Sequence, residues 1–199
     1  MPIADRMIKM VEGMEMVKKM FEEGARLRAE RGPENVFDFS LGNPDVPPPP
    51  EFDKVLKELV NSDTLSHGYT PNPGHYHARQ AVADYLSDEH GVKLTADLIL
   101  MTVGAAGALN AAIGALVNPG EEILTPSPYF IGYNHYAFVA AATLKTAPTD
   151  SNFHLDPEKI EAAITEKTRV MLINSPNNPT GAIYSAAELA ELGAVLERA

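Results

Sequence analysis

From residue 98 onward, short apolar runs alternate with helical patterns, and no other feature constrains the fold as tightly. Leu98-Ile99-Leu100-Met101-Thr102-Val103, Glu122-Ile123-Leu124-Thr125, Thr143 to Thr146 and Arg169 to Ile173 read as strands. Ala105 to Leu116 and Tyr129 to Ala141 read as helices. Two further helices announce their starts. Asp156 is placed as an N-cap with Pro157 at the first helical position, and Ser185 with Glu188 makes a capping box. Strands joined by helices in this way lie parallel and are covered on both faces. The expected architecture is a three-layer α/β/α domain with a mostly parallel sheet. Leu189, Leu192, Val195 and Leu196 form a last amphipathic face, and Ala199 follows with neither cap nor closing strand. The domain is therefore expected to be incomplete here.

The first part of the chain reads differently. Met7, Met10, Met14, Val17 and Phe21 recur at spacings of three and four, which makes Arg6 to Glu30 a helix with one packing face. Phe37 to Leu41 alternates as a short strand, Gly42-Asn43-Pro44-Asp45 turns, and Pro47 to Pro50 form a stiff extended linker. The expected division is an N-terminal helical arm over residues 1–47 and the main domain over 48–199. Phe52, Val55, Leu56, Leu59 and Val60 then mark an amphipathic helix. Gly68 to Gly74 is a proline-rich loop, and Ala78, Ala81, Val82, Tyr85 and Leu86 mark the next helix.

Composition excludes several functions. A net charge of −11 over 199 residues offers no basic stripe to nucleic acid. An anionic ligand must be held by local donors. Without cysteine there is no disulfide, thiolate metal site or cysteine nucleophile, and a reducing cytoplasm is the expected setting. No apolar run is long enough to span a bilayer, and Met1 to Arg6 lacks a signal-peptide core. His75 and His77 have no third ligand at metal spacing.

Three turns at expected strand ends could carry chemistry, the place where open α/β sheets bind ligands. Thr102-Val103-Gly104-Ala105-Ala106 leads from strand to helix, where unpaired N–H groups and the helix dipole favour an anion. Its spacing is neither G-x-G-x-x-G nor a P-loop, and by itself it suits a tight connection equally well. Pro126-Ser127-Pro128-Tyr129-Phe130 places aromatics at the same edge, for core packing or for stacking on a flat ring. Ser175-Pro176-Asn177-Asn178-Pro179-Thr180-Gly181 is stiffened by two prolines and holds two carboxamides. It is an ordinary turn or an amide donor aimed at a ring oxygen.

Taken together, and with Leu41-Gly42-Asn43-Pro44 and Gly68-Tyr69-Thr70-Pro71, these turns resemble the class I/II aminotransferases. These are fold-type I enzymes that use pyridoxal 5′-phosphate. The resemblance runs through nearly the whole chain but covers about the first half of such an enzyme. It implies that Gly104, Ala105 and Ala106 bind the cofactor phosphate. Phe130 then stacks on the pyridine ring, with Tyr129 as the alternative one residue away. Asn178 donates to the 3′-oxygen, and Asn177 shapes the turn. Gly42 lies near the substrate carboxylate, and Tyr69 reaches the phosphate in the neighbouring subunit of a homodimer. The implied substrates are an amino acid and a 2-oxo acid.

The resemblance also places the Schiff-base lysine, the aspartate at the pyridine nitrogen and the substrate-binding arginine after the Asn turn. Ala182 to Ala199 contain no lysine, and Lys145, Lys159 and Lys167 fall in strand or helix contexts before it. No catalytic residue is therefore assigned within the chain. A carbon–sulfur lyase or decarboxylase on the same scaffold, and a non-catalytic regulatory module, are the competing readings.

Overall fold

The computed structural model describes residues 3–13, 15–39, 42, 46–63 and 67–199. It divides into two compact units, Met1–Gly68 and Tyr69–Ala199. This is a division by compactness; the expected boundary after residue 47 is one of role.

In the first unit, the helix expected over Arg6 to Glu30 is two helices, α1 (Asp5–Gly13) and α2 (Glu15–Arg31). Met7 and Phe21 stand exposed and Met10 is half-buried, while Met14 lies outside the described residues. On α2, Arg26 pairs with Glu23 and Glu30 one turn away on either side. Such exposed pairs contribute little, roughly 0.3–0.5 kcal/mol each. Phe37 and Phe39 are 83% and 93% exposed in irregular backbone, so residues 36–39 form no strand. Ser40 and Leu41 lie outside the described residues, as do Asn43, Pro44 and Asp45 of the expected turn. The helix α3 (Pro50–Val60) begins where the proline run ends, with Pro50 at its first position.

The second unit carries α4 (Tyr76–His90), α5 (Gly104–Leu116), β1 (Glu122–Ser127), α6 (Tyr133–Val139), β2 (Thr143–Pro148), α7 (Pro157–Ala163), β3 (Thr168–Met171) and α8 (Ala186–Arg198). The three strands form a parallel sheet in the order β2-β1-β3, so β1 is central. Alternation along β1 sets the two cores. Ile123 packs with Ile113 and Val117, from α5 and its C-cap, and with Tyr133, Tyr136 and Ala137 from α6. Leu124 packs with Ala147, Leu155, Ile160, Tyr184, Leu192 and Val195, on the side of α7 and α8. Both side chains are fully buried. The expected α/β/α layering follows from this one alternation.

Both announced helix starts form. The Asp156 carboxylate accepts from the Lys159 N–H at 3.1 Å, and Ser185 and Glu188 bond reciprocally. Two expectations fail in this unit. Residues 98–103 are no strand: Ala96–Leu98 is a single 3-10 turn, and the segment beyond it is unladdered. Most of its apolar residues stand open, Leu98 at 67% and Val103 at 94% exposed, with Ile99 half-buried. A strand needs a hydrogen-bonded neighbour, and none pairs with this run among the described residues. The helix expected from Tyr129 starts only at Tyr133, because Pro128 to Gly132 form a turn in which the Tyr133 N–H donates to the Phe130 carbonyl.

Candidate active site

The sheet carries its chemistry at the carboxyl ends of β1 and β3, which are adjacent strands. Past β1, Pro128-Tyr129-Phe130 turn outward. The Tyr129 ring stacks on Tyr133, centroids 6.2 Å apart, and is half-buried. The Phe130 ring instead meets Tyr133 edge-on at 5.6 Å and keeps 38% of its surface exposed. Tyr133 is in turn buried, which pushes its phenol above the usual range, with Tyr136 adding to the effect. A buried neutral phenol is thus the wall against which Phe130 rests. Of the two aromatics, Phe130 has the free ring.

Past β3, the two carboxamides of the Asn turn part company. Asn177 is buried, and its amide donates to the Pro128 carbonyl at 3.1 Å and to Thr180 Oγ1 at 2.9 Å. Its backbone closes the loop: the Asn177 N–H donates to the Ala182 carbonyl, and its own carbonyl accepts from the Gly181 N–H. Asn178 is exposed, its N–H donates to Asn174 Oδ1 at 3.1 Å, and its side chain makes no hydrogen bond among the described residues. One amide is consumed in holding the turn, and the other is presented.

The third turn opens α5. Gly104 has φ +66°, a left-handed conformation that favours glycine, and a Cβ there would point into open space. Val103 at the N-cap supplies no side-chain bond. The Gly104 N–H turns back to Thr102 and the Gly107 N–H to Val103, which leaves the Ala105 and Ala106 N–H groups without a backbone acceptor among the described residues. The carbonyl of Leu116, at the other end of α5, accepts from Arg169 at the start of β3. The helix is roughly 20 Å long and runs against the strands, so its N-terminus points to their carboxyl edge. The donors can hold an anion on that edge.

Tyr69 is fully exposed, in a loop whose Pro73 carbonyl accepts from the Met101 N–H, three residues before Gly104. Gly42 belongs to the first unit and is exposed. Among the described residues no cluster of histidines and carboxylates is arranged for a metal, and no helix is long and apolar enough to cross a membrane. Three participants escape a sequence reading. Asn174 and Thr180 act through hydrogen bonds that only the folded turn forms, although Asn and Thr are residues prone to capture nearby backbone. Gly132 matters by its closeness to the Phe130 ring.

Lys145, Lys159 and Lys167 are engaged away from these turns. Lys145 pairs with Glu122 at 3.6 Å and Lys159 with Asp156 at 2.6 Å. The Lys167 carbonyl accepts from the Glu122 N–H at the amino edge of the sheet, opposite the three turns.

Residues 34–199 match the model of the family described as aminotransferase class I and II. The chain belongs to that family. It is 34% identical to a bifunctional aspartate aminotransferase and glutamate/aspartate-prephenate aminotransferase of Petunia hybrida, over 82% of this chain and 34% of that protein. It is 32% identical to a probable aspartate aminotransferase of Methanocaldococcus jannaschii, over 81% of this chain and 42% of that one. Among solved structures, an aminotransferase from Eubacterium rectale superposes with a TM-score of 0.92 at 37% identity, covering the whole of this chain and 51% of that chain. The aspartate aminotransferase from Rhizobium meliloti gives 0.89 at 30% identity, covering the whole chain and 48% of that structure. The chain thus spans about a third to a half of the length of these aminotransferases, and its α/β layering is the aminotransferase fold.

Proposed function

We propose that this chain is the N-terminal portion of a pyridoxal-phosphate-dependent aminotransferase that moves an amino group between an amino acid and a 2-oxo acid. One observation carries the reading: a free amide, Asn178, sits on a turn bonded through Asn177 to the turn bearing the open ring of Phe130. The residues fit the cofactor. The open space at Gly104 and the unpaired N–H groups of Ala105 and Ala106 suit a phosphate, the Phe130 ring suits a flat pyridine, and the Asn178 amide suits a ring oxygen.

When bound, pyridoxal phosphate supplies an electron sink for amino-group transfer. This chain's residues bind and tune it. The free Ala105 and Ala106 N–H groups and the helix dipole would hold the phosphate, with Gly104 leaving room for it, each contact contributing roughly 0.3–1 kcal/mol. Phe130 would stack on the ring and fix its plane. The Asn178 side-chain amide would donate to the 3′-oxygen and favour its anion, a hydrogen bond of about 1.5–3 kcal/mol. By the family resemblance, Gly42 would be the backbone position near the substrate carboxylate. The full exposure of Tyr69 suits a residue that reaches a partner subunit's phosphate in a homodimer. Residues 48–199 are the first part of the cofactor domain, residues 1–47 are its N-terminal arm, and the reactive lysine lies outside the chain.

Asn178→Ala in the full-length protein is expected to raise the pH midpoint of the bound cofactor's absorbance titration and to weaken its binding. An unchanged titration refutes the assignment. The 199-residue chain, reduced with borohydride in the presence of pyridoxal phosphate, is expected to acquire no stoichiometric covalent label. Specific labelling of a lysine here would contradict the reading.

A further inference from the structure

What sets the distance between Phe130 and Asn178 is not the sheet. The pairing of β1 with β3 runs from Glu122 and Thr168 to Leu124 and Met171, with one further bond from the Leu172 N–H to the Leu124 carbonyl. Beyond that point β1 continues to Ser127 alongside β2 alone. The two turns then leave the sheet without a shared ladder. The bond that joins them is the Asn177 amide donating to the Pro128 carbonyl, across 49 positions of sequence.

That amide is itself held in place. Its second N–H donates to Thr180 Oγ1, and the same hydroxyl accepts from the Ala182 N–H at 3.2 Å. The backbone of Asn177 is bonded on both sides, to Ala182 and Gly181. The next residue, Asn178, is pinned by Asn174. Asn177 is buried beneath the turn, so its side chain is spent on this geometry.

We infer that Asn177, oriented by Thr180, is a positioning residue that fixes the Asn178 amide relative to the Phe130 ring. This rests on the proposed function, in which those two groups face one cofactor ring. Asn177 acts through its neighbours. Its carboxamide nitrogen is the requirement, because a carboxylate oxygen of the same size would face the Pro128 carbonyl lone pairs. The Thr180 hydroxyl is required as the acceptor that turns the amide toward Pro128.

The test uses the full-length protein with pyridoxal phosphate and compares Asn178→Ala, Asn177→Asp, Thr180→Val and Thr180→Ser. Asn177→Asp and Thr180→Val are expected to move the absorbance titration midpoint in the same direction as Asn178→Ala, and to weaken cofactor binding by roughly two- to ten-fold. Thr180→Ser, which keeps the hydroxyl, is expected to restore both. With Asn178 already replaced by Ala, the uncharged Thr180→Val is expected to leave the midpoint where it is. In the cofactor-free protein, amide exchange at Gly181 and Ala182 is expected to speed up in Asn177→Asp. A role confined to stability would lower the melting temperature and leave the midpoint unmoved, which overturns the inference and leaves Asn178 standing. Should Asn177→Asp fail to fold, Thr180→Val against Thr180→Ser decides the matter by the same midpoint. An unmoved midpoint in Asn178→Ala overturns the functional reading and this inference together.

Discussion

Gly132→Ala sets two effects against each other, and the structure says which one wins. Gly132 has φ −60° and ψ −21°, a helical conformation that alanine adopts freely. On backbone grounds alone the substitution should stabilise by roughly 0.4–1 kcal/mol, through a less flexible unfolded chain. The new Cβ, however, would stand 2.8 Å from Phe130 Cζ and 3.0 Å from Cδ1, and closer still to Cε1. Inside a closed core such overpacking costs about 1–3 kcal/mol. Phe130 is not enclosed: 38% of it is exposed, so its ring can swing outward at small cost. Fold stability should therefore change by less than about 1 kcal/mol. The ring position pays instead, since Phe130 leaves its edge-on seat against Tyr133. Losing an aromatic stack of roughly 0.5–1.5 kcal/mol weakens cofactor binding about two- to ten-fold. Urea denaturation gives the first number, and fluorescence titration of pyridoxal phosphate into the full-length apoprotein gives the second. Unchanged affinity would refute the assignment of Phe130. A stability loss above about 1 kcal/mol would refute the claim that its ring is free to move.

Glu188 gives a pH-dependent test. Donation from the Ser185 backbone and hydroxyl, then from His154, holds its carboxyl down at about 2, against an ordinary 4.5. A depressed carboxylate stabilises the fold fully above its unfolded value and loses that contribution as the pH falls through its folded one. Glu188→Ala should cost about 1 kcal/mol at pH 7. The cost should shrink between pH 4.5 and about 2, and a pH-independent cost would exclude the mechanism. Tyr184 is 5% exposed, and its hydroxyl lacks a hydrogen-bond partner among the described residues. Tyr184→Phe should raise stability by about 1 kcal/mol in chemical denaturation, and a loss of that size would show the hydroxyl to be bonded.

The short-range features were legible in the chain. Asp156-Pro157 and Ser185 with Glu188 start their helices as read, because a cap is decided within four residues. Ile123 and Leu124 could be placed on opposite faces, because a strand alternates whatever it pairs with. The run 98–103 shows the limit of such reading. Its composition suits a strand, but pairing is a property of a neighbour the run itself does not specify.

The site divides along the same line. The sequence by itself determined that three turns of suitable chemistry follow one another at 102–106, 126–130 and 175–181. Residue type and proline content are local and settle how stiff each turn is. Only the tertiary structure decided which amide is free and which ring is open. Asn177 and Asn178 are identical side chains in adjacent positions; the resemblance assigned them different roles, but their local sequence does not say which amide is buried. The difference arises because β3 lies beside β1, which brings the Pro128 carbonyl within reach of one amide and leaves the other exposed.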